Sequence, residues 1–266
     1  MADALGGRVS WRTWLDASPI AQIALALMRD ATGRDAPLEM LSPVRPVGLP
    51  AARGVAFWSM SAGVGVSTVA ALVAHRSASA GRRPVLIDLD RRVPVLALRA
   101  KCAGANVVDA LLHPGDEAQL LSRWSEIPFL PGSTELHRAF DGPRIGELLG
   151  RLHRATSIVV DLGAGAEALD PDVVAAVDRL CVVVGSSVAQ LQAAFCAVPL
   201  LRQPIGGVQV GLVVVGIEAP DAARIAARLP WPLLASIPRD PFLAGDDFAT
   251  RAPTQRAIDA LIQALG

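Results

Sequence analysis

The chain has 266 residues, 52% apolar and 19% charged, and its 25 basic and 25 acidic side chains cancel to a formal net charge of zero. That length holds one well-buried core with a small appendage, the neutral balance gives no overall electrostatic drive toward nucleic acid, and no apolar run approaches the roughly 20 residues that span a bilayer. The first residues lack the basic and apolar regions of a secretory signal, so the expected location is cytoplasmic.

Residues 1–53 read as an N-terminal extension. Ser18 and Pro19 supply a cap and a first-turn proline, Ile20, Ile23, Leu27 and Met28 recur at helical spacing, and Gly33 ends the pattern. Pro37, Pro43, Pro46 and Pro50 then read as an extended linker, and Trp11 and Trp14 add aromatic surface upstream. This amphipathic helix either covers part of the following domain or docks a partner protein.

The domain read at 54–266 opens with a buried strand at 54–60 and a helix at 66–80 ended by Gly81. Between them runs Ser61-Ala62-Gly63-Val64-Gly65-Val66-Ser67-Thr68. A strand, a glycine turn and a helix N-terminus make an anion cradle, because backbone N–H groups point outward, the helix dipole adds partial positive charge, and glycine lets the backbone approach oxygen atoms closely. In an ordinary phosphate-binding loop a lysine after the last glycine reaches the β- and γ-phosphates, and the next Ser or Thr holds magnesium. Here Val66 takes the lysine position, Ser67 keeps the hydroxyl, and the only lysine of the chain is Lys101.

A second buried strand at 84–90 ends in Asp88 and Asp90, and a third segment at 156–165 ends in Asp161 and a glycine turn. Further strands are read at 180–184, 208–215 and 233–237, with helices at 189–201 and 220–228. Continuous apolar strands alternating with helices predict an α/β fold, a mostly parallel sheet with helices on both faces. The last segment, 254–265, carries an apolar stripe of Ile258, Leu261, Ile262 and Leu265. Its polar face lacks the basic character that anionic lipid favours, so it is expected to pack as an ordinary helix rather than lie on a membrane.

In this order the chain resembles the MinD/ParA family of P-loop ATPases (the SIMIBI group), whose loop reads Lys-Gly-Gly-x-Gly-Lys-Thr-Thr. Gly63, Gly65, Ser67 and Thr68 match; Ser61 stands at the first lysine, Ala62 at a glycine and Val66 at the phosphate lysine. The resemblance covers 54–266. It implies nucleotide contacts from Gly63, Val64, Gly65, Val66, Ser67, Thr68 and, after the last strand, Pro238. It implies a magnesium site at Ser67, Asp88 and Asp161, and makes Asp90 the water-positioning acid or its vestige. The family's adenine-reading asparagine is replaced by Gly216, and the chain's only asparagine is Asn106. Segments 107–112 and 127–132 resemble those that follow the family's second strand, and the pattern is nearest to the CpaE/TadZ-like and septum-site-determining branch.

The resemblance implies a localisation or assembly scaffold in pilus or septum positioning, with impaired or absent ATP hydrolysis and weak binding of ATP and Mg, or none. It implies protein partners from a localisation or secretion machine, a homodimer, and recruitment to a pole or septum. Of the 25 Lys and Arg residues all but Lys101 are Arg, and a drift from Lys to Arg would have kept a charge at 66. Valine there removes an electrostatic donor of a kind worth ~2.7–4 kcal/mol in the transition state. The alternative is an active ATPase in which an arginine replaces the lysine, Arg91 and Arg92 being nearest in sequence. A Rossmann dinucleotide-binding enzyme is a third reading, since Gly63-Val64-Gly65 precedes acids by roughly 20 residues; Thr68 at the third glycine position and the absence of tyrosine weigh against it. Cys102, Cys181 and Cys196, and His75, His113, His137 and His153, show no metal-ligand spacing. Arg224, Arg228, Arg239, Arg251 and Arg256 are candidates for a nucleic-acid patch, with a solvated surface as the plainer account.

Overall fold

The computed structural model describes residues 46–51, 53–136, 141–202, 205, 207–244 and 250–266. The helix read at 18–33, Trp11, Trp14, Pro37, Pro43 and His137 lie outside the described residues.

β1 (Gly54–Ser59) leads through the glycine turn into α1 (Val66–Ser79) and then β2 (Val85–Asp88). Three short helices follow, α2 (Leu96–Ala100), α3 (Val107–Leu112) and α4 (Glu117–Leu120), and then β3 (Ser122–Trp124) and β4 (Ile127–Leu130). The second half runs α5 (Gly142–Ala155), β5 (Ile158–Ala164), α6 (Pro171–Ala175), β6 (Arg179–Val184), α7 (Val188–Ala197), β7 (Gln209–Val215), α8 (Ala219–Ala226), β8 (Leu233–Ile237) and α9 (Ala252–Ala264).

The eight strands form one sheet in the order β3-β4-β2-β5-β1-β6-β7-β8. Every pairing is parallel except β3 with β4. The expected α/β fold with a mostly parallel sheet is therefore present. β1 lies between β5 and β6, so the chain winds outward to one side through β2 and to the other through β6. The carboxyl ends of β1 and β5 flank the crevice where such sheets bind ligands.

Alternation along β1 builds two cores. Val55 and Phe57 pack with α1 and with Ile258, Leu261, Ile262 and Leu265 of α9 on one face. Ala56 and Trp58 pack with Ile145 of α5, Val173 of α6, Ala194 of α7 and Ala222 of α8 on the other. The apolar stripe of the last helix is thus spent on the core. Arg76 of α1 binds Asp259 of α9 in a fork, Nε donating to Oδ1 and Nη2 to Oδ2, both at 2.7 Å. Residues just upstream of the first strand also lie on this face. Leu49 is buried, its amide donates to Ser77 Oγ at 3.2 Å, and the Val47 amide donates to Asp259 Oδ1 at 3.3 Å.

The strand read at 84–90 ends at Asp88 because its own side chain turns the backbone: Asp88 Oδ1 accepts from the Asp90 amide at 3.1 Å. The antiparallel β3 has no counterpart in the sequence reading. Three residues are too few to show alternation.

Candidate functional site

α1 starts where Gly65 takes a left-handed conformation, φ 96°, and no side chain caps its first turn. By contrast α5, α6 and α7 are capped by Asp141, Asp170 and Ser187, which accept from backbone amides of their own first turns. The first N–H groups of α1 therefore remain directed at the loop. The loop is held from below: Gly165 N donates to Ser59 O at 2.9 Å, and Trp58 Nε1 donates to Gly165 O at 2.8 Å. These bonds tie the end of β1 to the turn after β5.

A cavity of about 310 Å³ opens over this turn, lined from the loop by Gly63, Gly65, Val66, Ser67 and Thr68, with Asp90 and Gly163 opposite. Six of the sequence-read site residues thus converge on one space. Val64 does not line it; its side chain is buried in the core beside α1. Pro238, at the end of β8, is also absent from the lining. Val66 does two things at once, lining the cavity while being only 6% exposed and packed into that same core.

Below the cavity Asp88 and Asp161 are partners in the register of β2 and β5, and both are fully buried. Burial pushes the Asp161 carboxyl up to about 6; the Ser67 hydroxyl and the Gly163 amide pull it back, and the charge of Asp90 raises it. Burial likewise holds Asp88 well above the ordinary carboxylate range, and Asp161 beside it adds to the rise. Asp88 has both oxygens engaged by backbone, Oδ1 by Asp90 and Oδ2 by the Leu96 amide at 3.3 Å. Asp161 Oδ1 accepts from Gly163 N at 2.9 Å, whereas its buried Oδ2 makes no full hydrogen bond and has the Ser67 hydroxyl beside the carboxyl. A buried acid oxygen next to a hydroxyl is a setting that suits a hard cation. Magnesium keeps several waters and takes one or two protein oxygens plus phosphate. Ser67 would hold it directly and Asp161 would sit behind. Among the described residues no group of three or more His, Cys, Asp or Glu could hold a metal by itself.

Asp90 Oδ1 accepts from the amides of Arg92 and Val93 at 2.9 and 3.1 Å, so this acid also shapes its own turn. It leans on Gly163, where a Cβ would meet Asp90 Cγ at 2.4 Å. Of the two arginines next in sequence, Arg91 lies 3.9 Å from Asp170 and does not line the cavity, and Arg92 lines it while paired with Glu167. The arginine that reaches the loop is a third one. Arg99, on α2, lines the cavity and donates from Nη1 to Thr68 Oγ1 at 3.0 Å. The sequence reading missed it; its one available sign was a lone charge within the apolar run 93–100.

Asn106 caps α3 through Val108 N at 2.8 Å and does not line this cavity. Gly216 adopts φ 79° at the end of β7. Cys181 is buried and its thiol pushed up to about 12, which makes it inert.

The sequence matches no protein-family model and no curated protein. Solved structures do match. The cell division ATPase MinD of Pyrococcus furiosus superposes with a TM-score of 0.66 at 19% identity, over 80% of this chain and 98% of that one. The MinD of Pyrococcus horikoshii complexed with Mg-ADP gives 0.65 at 18%, over 79% and 94%. A ParA family ATPase from Chlorobium tepidum gives 0.64 at 18%, over 80% and 98%.

The fold is that of the MinD/ParA ATPases.

The turn at 61–68 lies between β1 and α1 of this fold. No helix among the described residues is long and apolar enough to cross a membrane.

Proposed function

We propose that this chain is a MinD/ParA-like protein of the CpaE/TadZ-like kind, with impaired or absent ATP hydrolysis, which serves as a localisation or assembly scaffold for a pilus or septum machine. The observation that carries this is Val66. The glycine turn, the uncapped helix start, Ser67 and the acid pair are all retained, yet the position of the phosphate lysine holds an aliphatic side chain embedded in the core. Phosphoryl transfer depends almost wholly on positioning and charge stabilisation. A cradle that keeps its shape and loses its lysine favours retained but weak nucleotide binding over turnover.

In this reading Gly63, Gly65, Ser67 and Thr68 contact phosphate, Ser67 with Asp161 behind it holds Mg, and Asp90 is vestigial. Protein partners and a homodimer are part of the proposal; the MinC:MinD complex of Aquifex aeolicus is a structural neighbour that works with a second protein. Titration calorimetry with Mg-ATP, together with phosphate release by the wild type and Asp90→Ala, tests it. Weak binding or none, with no release above background in either protein, is the expected result. Release that Asp90→Ala abolishes would establish an active ATPase instead.

A further inference from the structure

We propose that Arg99 is the cation of the phosphate cradle, a guanidinium delivered from α2 that binds the phosphate oxygens of a nucleotide in place of the missing loop lysine. This rests on the reading of 61–68 as a nucleotide loop and adds to it a residue that the loop itself does not contain.

The placement begins at Asp88. Its Oδ2 accepts from the Leu96 amide, which pins the first turn of α2 to the buried end of β2. Leu96 is buried in the same core as α1. Arg99 follows three residues later, on the same side of the helix, and so lies over the first turn of α1. There Nη1 reaches Thr68 Oγ1, and Nη2 donates to Leu243 O at 3.3 Å, which fixes the plane of the guanidinium from a second element. A planar fork held at two points has lost much of its freedom before any ligand arrives.

Charge gives the second argument. Among the described residues the acids at or under the cavity are Asp88, Asp90 and Asp161, and the cations in its lining are Arg92, which also meets Glu167, and Arg99, which also meets Thr68 and Leu243. A di- or triphosphate entering past those acids adds further negative charge, and a guanidinium held at Thr68 offsets part of it at the point of entry. Arg99 lines the cavity and does not fill it. The open volume of about 310 Å³ is at the small end of ligand sites and suits a phosphate chain. Arginine also matches phosphate in a bidentate manner, which a single ammonium does not.

The test is calorimetric titration of the full chain with Mg-ADP and with inorganic tripolyphosphate, which carries no base and so reads the cradle alone. Arg99 as the cation of the cradle requires that both bind the wild type, if weakly. Arg99→Ala should weaken both by about tenfold or more, the size expected for losing a hydrogen bond to a charged group. Arg99→Lys should recover part of the loss. Circular dichroism melts of each variant establish that it is folded, and Arg99→Lys carries the comparison if Arg99→Ala is not. Arg99→Ala binding as tightly as the wild type, or more tightly, would show the guanidinium to be a strut or a plug and overturn the proposal. A folded wild type that binds neither ligand overturns it too, while leaving a nucleotide-free scaffold standing. Rapid hydrolysis that depends on Arg99 would do the reverse, sinking the scaffold reading and keeping Arg99 as the cation.

Discussion

Asp88 and Asp161 stand opposite each other on adjacent parallel strands, both fully buried and both held above the ordinary carboxylate range. Folded Asp161 keeps its proton up to about pH 6, whereas in the unfolded chain it releases it near pH 4. Between those values the folded state binds more protons, so this group contributes stability that is lost as pH rises through the window. The gap between those two values corresponds to on the order of 3 kcal/mol. The advantage of Asp161→Asn over wild type, read from urea midpoints without nucleotide, should grow from near zero at pH 4 to about that size at pH 7.5. An advantage that does not change with pH would mean that the pair is neutralised some other way.

Val66 joins two roles that pull apart on substitution. Val66→Lys replaces a core methyl pair with an ammonium aimed at the cavity, which should lower stability by about 1–2 kcal/mol. The same change should tighten Mg-ADP by about tenfold, because a charge-assisted hydrogen bond to phosphate is restored. Titration beside a chemical melt measures both. A folded variant with no gain in affinity would show that the turn no longer serves phosphate.

The fold was legible because its strands are buried on both sides and so read as unbroken runs, as at 158–164 and 180–184. The loop was legible because glycine and hydroxyl residues occupy fixed offsets within a few residues. Arg99 was not, since its partner Thr68 is 31 residues away and meets it only after β2 has crossed the sheet. Arg91 and Arg92 looked closer to the site in sequence, but proximity along a turn does not fix direction: Arg91 turns to Asp170 and away from the cavity, and Arg92, which lines it, is paired with Glu167. β3 and the path of residues 47–50 over α1 depend on contacts that no local pattern encodes.

Gly163 and Gly63 both have positive φ, 70° and 75°, yet they should respond differently to alanine. A Cβ at Gly63 meets nothing within 4 Å, so Gly63→Ala carries only the left-handed strain, about 1–2 kcal/mol. A Cβ at Gly163 would lie 2.4 Å from Asp90 Cγ, and relief requires moving the side chain that holds the Arg92 and Val93 amides. Gly163→Ala should therefore cost about 1–3 kcal/mol beyond Gly63→Ala, and proteolysis should become faster at 90–95. Equal losses in thermal melts would mean that the turn after β2 yields freely.

Asp259 links α1, α9 and the segment ahead of β1 through a single carboxylate, which receives the Arg76 fork and the Val47 amide. Both charged side chains are mostly covered, at 16% and 9% exposure. Removing one partner from such a pair strands the other charge out of water, so Asp259→Ala should cost about 3 kcal/mol or more. Replacing both, as Arg76→Met with Asp259→Leu, removes the stranded charge and leaves only the Val47 amide to find water, so the double variant should be the more stable of the two. The order of the two urea midpoints decides this, and a double variant that unfolds below Asp259→Ala would mean that the ion pair contributes net stability beyond the cost of burying it.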